Sequence, residues 1–478
     1  MNGLLEGLEI SILPLSEVLN DNRDSRLDSQ YFRKVALFTD DQISRHAPSE
    51  LRNVASKVLS FGAYALTNEF EYQEAGVPFL RGTNFQGDFV NFSGALCISE
   101  EAHSLLHRSE VKPGMVLLSM SGSVGSVSVA LDTWQYPINS NQDIAKIVPD
   151  GISSFYLAAY LASKHGQVQI ERQPVGSVQQ HIFLWMIERL KIPRFSEDFE
   201  REISRATEHA YVLHEKVPQL MTCADGLLMT SLGLADWTPP EPLTYAAKAS
   251  DALAANRLDA QYFMPAKEQV KRALAALPGM PLSSRVNSIR EQWVPDRAPP
   301  TMRVRNYDVT DALVPLLDAE KETSFAADIG SMKKVLRDGD VAVSRLRAYL
   351  KEIAVVRAGG AIPSVGSSEF IVLRPNGADI SPETLMVFLR STPVQTILKW
   401  CQDGSQHPRF SESDLLSIPV PDAVAEASAQ VTAIVQKGFA ARDHARRLLD
   451  AAKRAVEIAI EDSEAAAMAY LATVEGAN

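Results

Sequence analysis

Apolar and small residues recur at alternating spacings of four and three along two stretches of the chain. The first runs Phe199, Ile203, Ala206, Ala210, Leu213, Val217, Leu220, Ala224, Leu227; the second runs Val424, Ala427, Val431, Ile434, Gly438, Ala441, Ala445, Leu448, Ala452, Ala455, Ala459. This is a heptad seam, and it predicts long amphipathic helices over 198–230 and 422–460. The alanine content of the second seam permits close helix approach. Pro218 lies inside the first and is expected to kink it or break it into two helices. Elsewhere the pattern changes to short β-rich runs at 115–119, 127–130, 341–344 and 353–356, bounded by Gly and Pro. Shorter helical periods appear at 153–171, 262–277 and 382–400, so the fold class is α+β, a mixed α/β arrangement.

The pattern also repeats. Arg26-Leu-Asp-Ser-Gln-Tyr-Phe32 returns 231 residues later as Arg257-Leu-Asp-Ala-Gln-Tyr-Phe263, identical at six of seven positions. Further echoes keep the same order. Lys112–Ser119 answers Arg337–Ser344, Ile147–Gly151 answers Leu373–Gly377, Tyr160–Ser163 answers Phe388–Ser391, and Leu190–Pro193 answers Leu416–Pro419. Each copy then enters its heptad helix, and Thr238-Pro-Pro-Glu-Pro242 forms a stiff linker between them. The chain is therefore two diverged copies of one unit.

Composition alters this picture only at the margins. The 478 residues are 46% hydrophobic and 22% charged, an ordinary globular balance. A net charge of −12 excludes a whole-protein basic field, so any nucleic-acid surface must be local. Cys97, Cys223 and Cys401 are too isolated for a disulfide framework or a CxxC zinc site, which points to a reducing, cytoplasmic setting. The chain shows neither a signal peptide nor about 18 consecutive apolar residues, and no membrane association is expected.

Catalytic motifs are missing. The sequence holds no phosphate loop, HExxH pair, GxSxG elbow or correctly spaced GxGxxG, and no Asn-Pro-Pro-aromatic segment of the kind that holds a flipped base. Gly122 and Gly125 read as a strand-to-strand turn. Asp318, Glu320 and Lys321 read as a solvated segment rather than a nuclease site, and His103 and His107 have no third ligand near them in sequence. No catalytic residue, cofactor or metal site is expected.

The loops between apolar runs are rich in groups that hydrogen-bond bases or phosphates. In the first copy they carry Arg81, Thr83, Asn84, Ser121, Ser123, Asn139, Asn141, Gln142, Gln179 and Gln180. The second copy changes these groups to Arg303, Arg305, Arg345, Arg347, Tyr349, Lys351, Ser405, His407 and Arg409, with Arg305 aligned to Arg81. A constant framework with altered loops suits two readers of two DNA sequences.

The ordered, duplicated stretches Gly76–Asn84, Val111–Ser119 with Gly122 and Gly125, Ile138–Asn141 and Leu190–Pro193 resemble the specificity subunit of type I restriction-modification systems. The resemblance covers nearly the whole chain. It implies a first target-recognition domain at 1–197, a spacer helix at 198–236, a linker and second target-recognition domain at 237–421, and a second spacer helix with a tail at 422–478. It further implies that the helices pair as an antiparallel coiled coil, with Phe199, Ile203, Leu213, Val217, Leu220, Val431, Ile434 and Leu448 along the seam. Thirty residues of helix span about 45 Å, somewhat more than one turn of DNA. The implied partners are double-stranded DNA, two adenine methyltransferase subunits and restriction-translocase subunits. The same residues also fit a specificity-like component of another phage-defence assembly, or a self-contained metal nuclease. The acidic balance and the Arg345–Tyr349 stretch, which replaces the Gly-x-x-Gly turn, depart from the family pattern.

Overall fold

The computed structural model describes residues 9–20, 26–60, 70–73, 75–92, 94–174 and 181–475. The chain divides into two compact units, residues 1–215 with 442–478, and residues 216–441.

The first unit contains strands β1 (Ala55–Leu59), β2 (Val77–Leu80), β3 (Leu96–Ile98), β4 (Glu110–Val111), β5 (Val116–Ser119), β6 (Val127–Val129), β7 (Ile138–Ser140) and β8 (Ile144–Pro149). Two short helices, α1 (Ser154–Ala162) and α2 (Lys164–Glu171), follow, and the long helix α3 (Glu197–Ser231) begins in this unit. One sheet has the antiparallel order β1-β8-β5-β6; the other has the order β3-β2-β7-β4, with β2 and β7 parallel. Strands β5, β6 and β7 are buried along their whole length, which is why β5 and β6 read as continuous apolar or small runs rather than alternating ones.

The second unit contains α4 (Pro265–Ala276), β9 (Val286–Ile289), β10 (Gln292–Trp293), β11 (Arg303–Tyr307), β12 (Leu316–Leu317), β13 (Thr323–Phe325), β14 (Lys333–Leu336), β15 (Val341–Ser344), β16 (Ile353–Val356), β17 (Ser364–Gly366) and β18 (Phe370–Pro375). Helices α5 (Pro382–Arg390) and α6 (Thr392–Cys401) precede the second long helix, α7 (Asp422–Glu461). Its sheets run β9-β18-β15-β16-β12 and β10-β14-β17-β11-β13. With β12 and β10 set aside as additions at the sheet edges, the strand orders match those of the first unit, including the parallel pair β11 and β17.

The recurring heptapeptide performs the same task in each unit. Arg26 Nε pairs with Asp28 at 2.7 Å, and its Nη1 donates to the carbonyl of Gln173 at 2.8 Å, just beyond the end of α2. Arg257 Nε pairs with Asp259 at 2.6 Å, and its Nη2 donates to the carbonyl of Gln402 at 3.1 Å, just beyond the end of α6. Asp28 and Asp259 each accept the backbone N–H three residues on, at 3.0 Å. A guanidinium thus serves a helix C-terminus, where orphan carbonyls and the helix dipole favour positive charge.

Helix α3 is continuous through Pro218, so of the two expected outcomes, a kink or a break, the break does not occur. The missing proline N–H costs one ladder bond, which the packing of α3 residues on both sides of Pro218 against α7 offsets. In the first unit Phe199, Ile203, Ala206 and Ala210 are buried with Leu448, Ala452, Ala455 and Ala459, and Leu213 packs beside them. Ser196 bonds Glu464 while His209 meets His444, so the two helices run antiparallel there. In the second unit Ala224 and Leu228 are buried with Val424, Ala427 and Val431, and Ile434 packs against them. Val217 and Leu220, expected on the seam, are only half-buried. Val435, Phe439, Leu449, Val456 and Ile460, absent from the heptad reading, are buried because α7 also packs against the sheet-bearing parts of each unit.

Candidate nucleic-acid interface

Backbone hydrogen bonds gather equivalent loops at the same place in each unit. In the first, Asn141 N donates to Leu80 O at 2.9 Å, Met120 N to Asp143 O at 2.7 Å, and Ile182 N to Met120 O at 3.1 Å. The segments following β2, β5 and β7 therefore converge with the chain at 181–182. In the second, Ser367 N donates to Tyr307 O at 2.9 Å, Arg345 N to Glu369 O at 3.1 Å, and Phe410 N to Arg345 O at 3.2 Å. The segments after β11, β15 and β17 converge in the same way with 409–410.

This register corrects one sequence alignment. Leu80 lies opposite Ser140 and Tyr307 opposite Gly366, each pair at the strand ends. Arg81 is therefore level with Asp308, not Arg305, and both Arg81 and Asp308 start capped single turns of helix. Arg305 sits inside β11, where its guanidinium donates to the carbonyls of Ala319, Ala358, Gly359 and Ile362 at 2.8–3.3 Å. It staples a loop and is not a free reader. Arg303 lies four residues before Tyr307, about 13 Å toward the opposite end of the strand, with its guanidinium 4.2 Å from the Phe325 ring centroid.

In the first unit the structure places Thr83 and Ser123 at the surface, and Arg81 and Gln142 half-buried. The Arg81 guanidinium lies 6.0 Å from the Tyr72 ring centroid. Asn84 is withdrawn from the surface: buried, it accepts from Arg81 N at 2.9 Å and donates to Asn91 O at 3.1 Å. Asn139 is withdrawn as well, fully buried among Ser109, His103 and the Leu106 carbonyl. Both amides satisfy backbone and buried polar groups that would otherwise be left unpaired. Ser121 is buried in a bridge to His181. Asn141 is half-buried; its Oδ1 accepts from Asp143 N at 3.1 Å and its Nδ2 donates to Asp143 Oδ2 at 2.8 Å. Gln179 and Gln180 lie outside the described residues.

In the second unit the loops bring Arg345, Arg347, Ser405, His407 and Arg409 together. Arg347 N donates to Pro408 O at 2.9 Å, and Asp403 and Arg409 exchange two backbone bonds of 2.8 Å. Arg345 and Arg409 both pair with Glu369, which these contacts hold below the usual carboxylate pKa, the Arg409 hydrogen bond most of all. Ser405 and His407 are exposed, and Tyr349 is 57% exposed. Lys351 is half-buried; burial chiefly, and then Arg390, depress its pKa while Asp225 of α3 raises it.

The sequence reading missed Glu369, and also Arg290, Lys334 and Glu412, which stand beside Arg345. Arg290 pairs with Glu412 at 3.0 Å, and Lys334, Arg345 and Glu412 line one small cleft. The signal for Glu369 was present, since Asn141-Gln-Asp143 and Ser367-Ser-Glu369 lie 226 residues apart and each opens with a side chain that accepts from the backbone of the acid. Among the described residues no cluster of three His, Cys, Asp or Glu could hold a metal ion, and no helix is long and apolar enough to cross a membrane.

Strand order and loop contacts define a duplicated mixed α+β protein with a convergent polar loop edge in each copy. No protein-family model matches the chain, and no curated protein does. Among solved structures it is similar to a type I restriction-modification S subunit from M. genitalium, at 13% identity over 85% of this chain and 94% of that one, with a TM-score of 0.38. It is similar to the HsdS subunit from Thermoanaerobacter tengcongensis at 13% identity, covering 87% of this chain and 96% of that one, with a TM-score of 0.27. A structure described for complex assembly and conformational transition of the type I R-M system aligns at 12% identity over 87% of this chain and 96% of its own, with a TM-score of 0.26.

Proposed function

We propose that this chain is the non-catalytic DNA-specificity subunit of a type I restriction-modification complex. Each copy reads one half of a bipartite, asymmetric duplex site, and methyltransferase and nuclease subunits supply the chemistry. The recognition domains fall within 1–197 and 237–421, with α3 and α7 as spacer helices. The observation that carries this reading is one strand order delivering different donors to the same edge: Arg81, Thr83, Ser123 and Gln142 in one copy, Arg345, Arg347 and Tyr349 in the other. A retained scaffold with exchanged donors is what two unlike half-sites require.

The net charge of −12 assigns much of the phosphate attraction to the partners. Binding by this chain alone is then weak and salt-sensitive, and the complex works in the cytoplasm. Mapping methylated adenines across the genome with and without the gene tests the reading. Loss of one split motif on deletion supports it; an unchanged methylation map overturns it.

A further inference from the structure

We infer that Glu369 is a positioning residue for sequence reading in the second unit. Its carboxylate holds Arg345 as a fixed fork that specifies a guanine, while Arg409 tethers the carboxylate. The inference rests on the reading above, that the converged loops meet duplex DNA.

The geometry divides the labour between the two arginines. Arg345 Nε donates to Glu369 Oε2 at 2.7 Å. The same oxygen accepts Arg409 Nε at 3.1 Å, Oε1 accepts Arg409 Nη2 at 2.9 Å, and Arg409 Nη1 donates to His407 O at 3.1 Å. Every nitrogen of the Arg409 guanidinium is thus engaged by the protein. Arg345 commits only its Nε among the described residues, leaving Nη1 and Nη2 for a ligand on a side chain 44% exposed. Two parallel N–H donors on a fixed plane match the O6 and N7 acceptors of guanine in the major groove. A phosphate contact tolerates a swinging arginine; a base contact rewards a held one.

Glu369 is itself anchored. Its carbonyl accepts from Arg345 N at 3.1 Å, and its N–H donates to Ser367 Oγ at 3.3 Å. The first copy keeps a carboxylate at the same register, Asp143, whose carbonyl accepts from Met120 N and whose Oδ2 holds the Asn141 amide instead of a guanidinium. The carboxylate recurs while the group it holds changes, as expected of a device that aims a donor. Ion pairs this exposed add little to stability, so stability alone does not account for it.

The test uses the full-length chain co-purified with its methyltransferase partner and selected against a randomised duplex DNA library. Glu369→Gln and Arg345→Ala should each lower the preference for guanine at one and the same base pair by at least about tenfold. The other half-site should be unaffected, and Glu369→Asp should restore part of the preference. If Arg345→Ala loses the guanine while Glu369→Gln keeps wild-type specificity, the positioning role is overturned. If both variants weaken binding equally for every sequence, Arg345 contacts phosphate and the inference also fails. If the wild-type complex selects no motif, the specificity-subunit reading itself falls, an outcome distinct from the other two. Thermal melting of each variant separates loss of specificity from loss of fold.

Discussion

Lys146 Nζ donates to Ser140 Oγ at 2.7 Å in a part of the first unit where neither side chain reaches solvent. Its other hydrogen bond goes to the Ile144 carbonyl at 3.4 Å, and both acceptors are uncharged. Burial therefore pulls the amine down to about 7. At the equivalent ladder position the second copy has Val372, which is buried and faces Ala342 as Lys146 faces Leu117.

Substituting Lys146→Val should stabilise the protein at neutral pH, on the order of 3 kcal/mol. The folded amine binds its proton less tightly than the unfolded one, so the burial cost is complete below about pH 7 and disappears as the pH rises toward 10.5. Urea melts at pH 7 and pH 10 check this: the advantage of the variant should shrink as pH rises. An equal gain at both values would place its origin in packing.

His214, on α3, lies flat against Phe89, with ring centroids 4.0 Å apart and planes at 5°. Burial, aided by Arg442, lowers its pKa to about 4. The unfolded chain takes up this proton at higher pH than the folded one, so stability should fall as pH drops from 6.5 toward 4. A His214→Phe variant should flatten that acid limb by on the order of 2 kcal/mol, measured by denaturation across pH 4–7.

The arginines of the recurring heptapeptide should matter alike. Arg26→Ala and Arg257→Ala each remove a carboxylate partner and a donor to a helix-terminal carbonyl, and each should cost about 1–3 kcal/mol. Asp28 and Asp259 lie below their ordinary pKa, through the arginine hydrogen bond first. The stability they contribute is present at neutral pH and is lost as pH falls below about 4. The wild type should therefore exceed both variants at pH 7 and approach them in acid, as followed by circular dichroism.

Gly438 of α7 sits against Leu220 and Met221 of α3. A methyl added there would lie 2.7 Å from the Met221 terminal carbon, the far end of a flexible side chain. Gly438→Ala should be near neutral, the helix-propensity gain of about 1 kcal/mol offsetting the shift of the methionine. Gly438→Leu should destabilise by about 1–3 kcal/mol through overpacking, and guanidinium melts of the two variants distinguish these outcomes.

Duplication, the two long helices, the buried strands at 116–119, 127–129, 341–344 and 353–356, and the mixed α+β class were all legible in the amino-acid order. Each rests on local periodicity or on a run of identical residues, which survive without knowledge of the partners. The roles of polar side chains were not legible, because a hydrogen-bond donor reads the same in a sequence whether it meets solvent, a carbonyl or a carboxylate. Asn84, Asn139 and Arg305 resemble readers by residue type, yet tertiary contacts spend their donors inside the protein. Arg345 and Glu369 lie 24 residues apart, and only the pairing of β15 with β18 and the loop contact beside it bring them together. The sequence alone determined that two copies exist and which scaffold residues they share; the sheet registers decided which side chains remain for a ligand, because strand pairing assigns each polar group its partner.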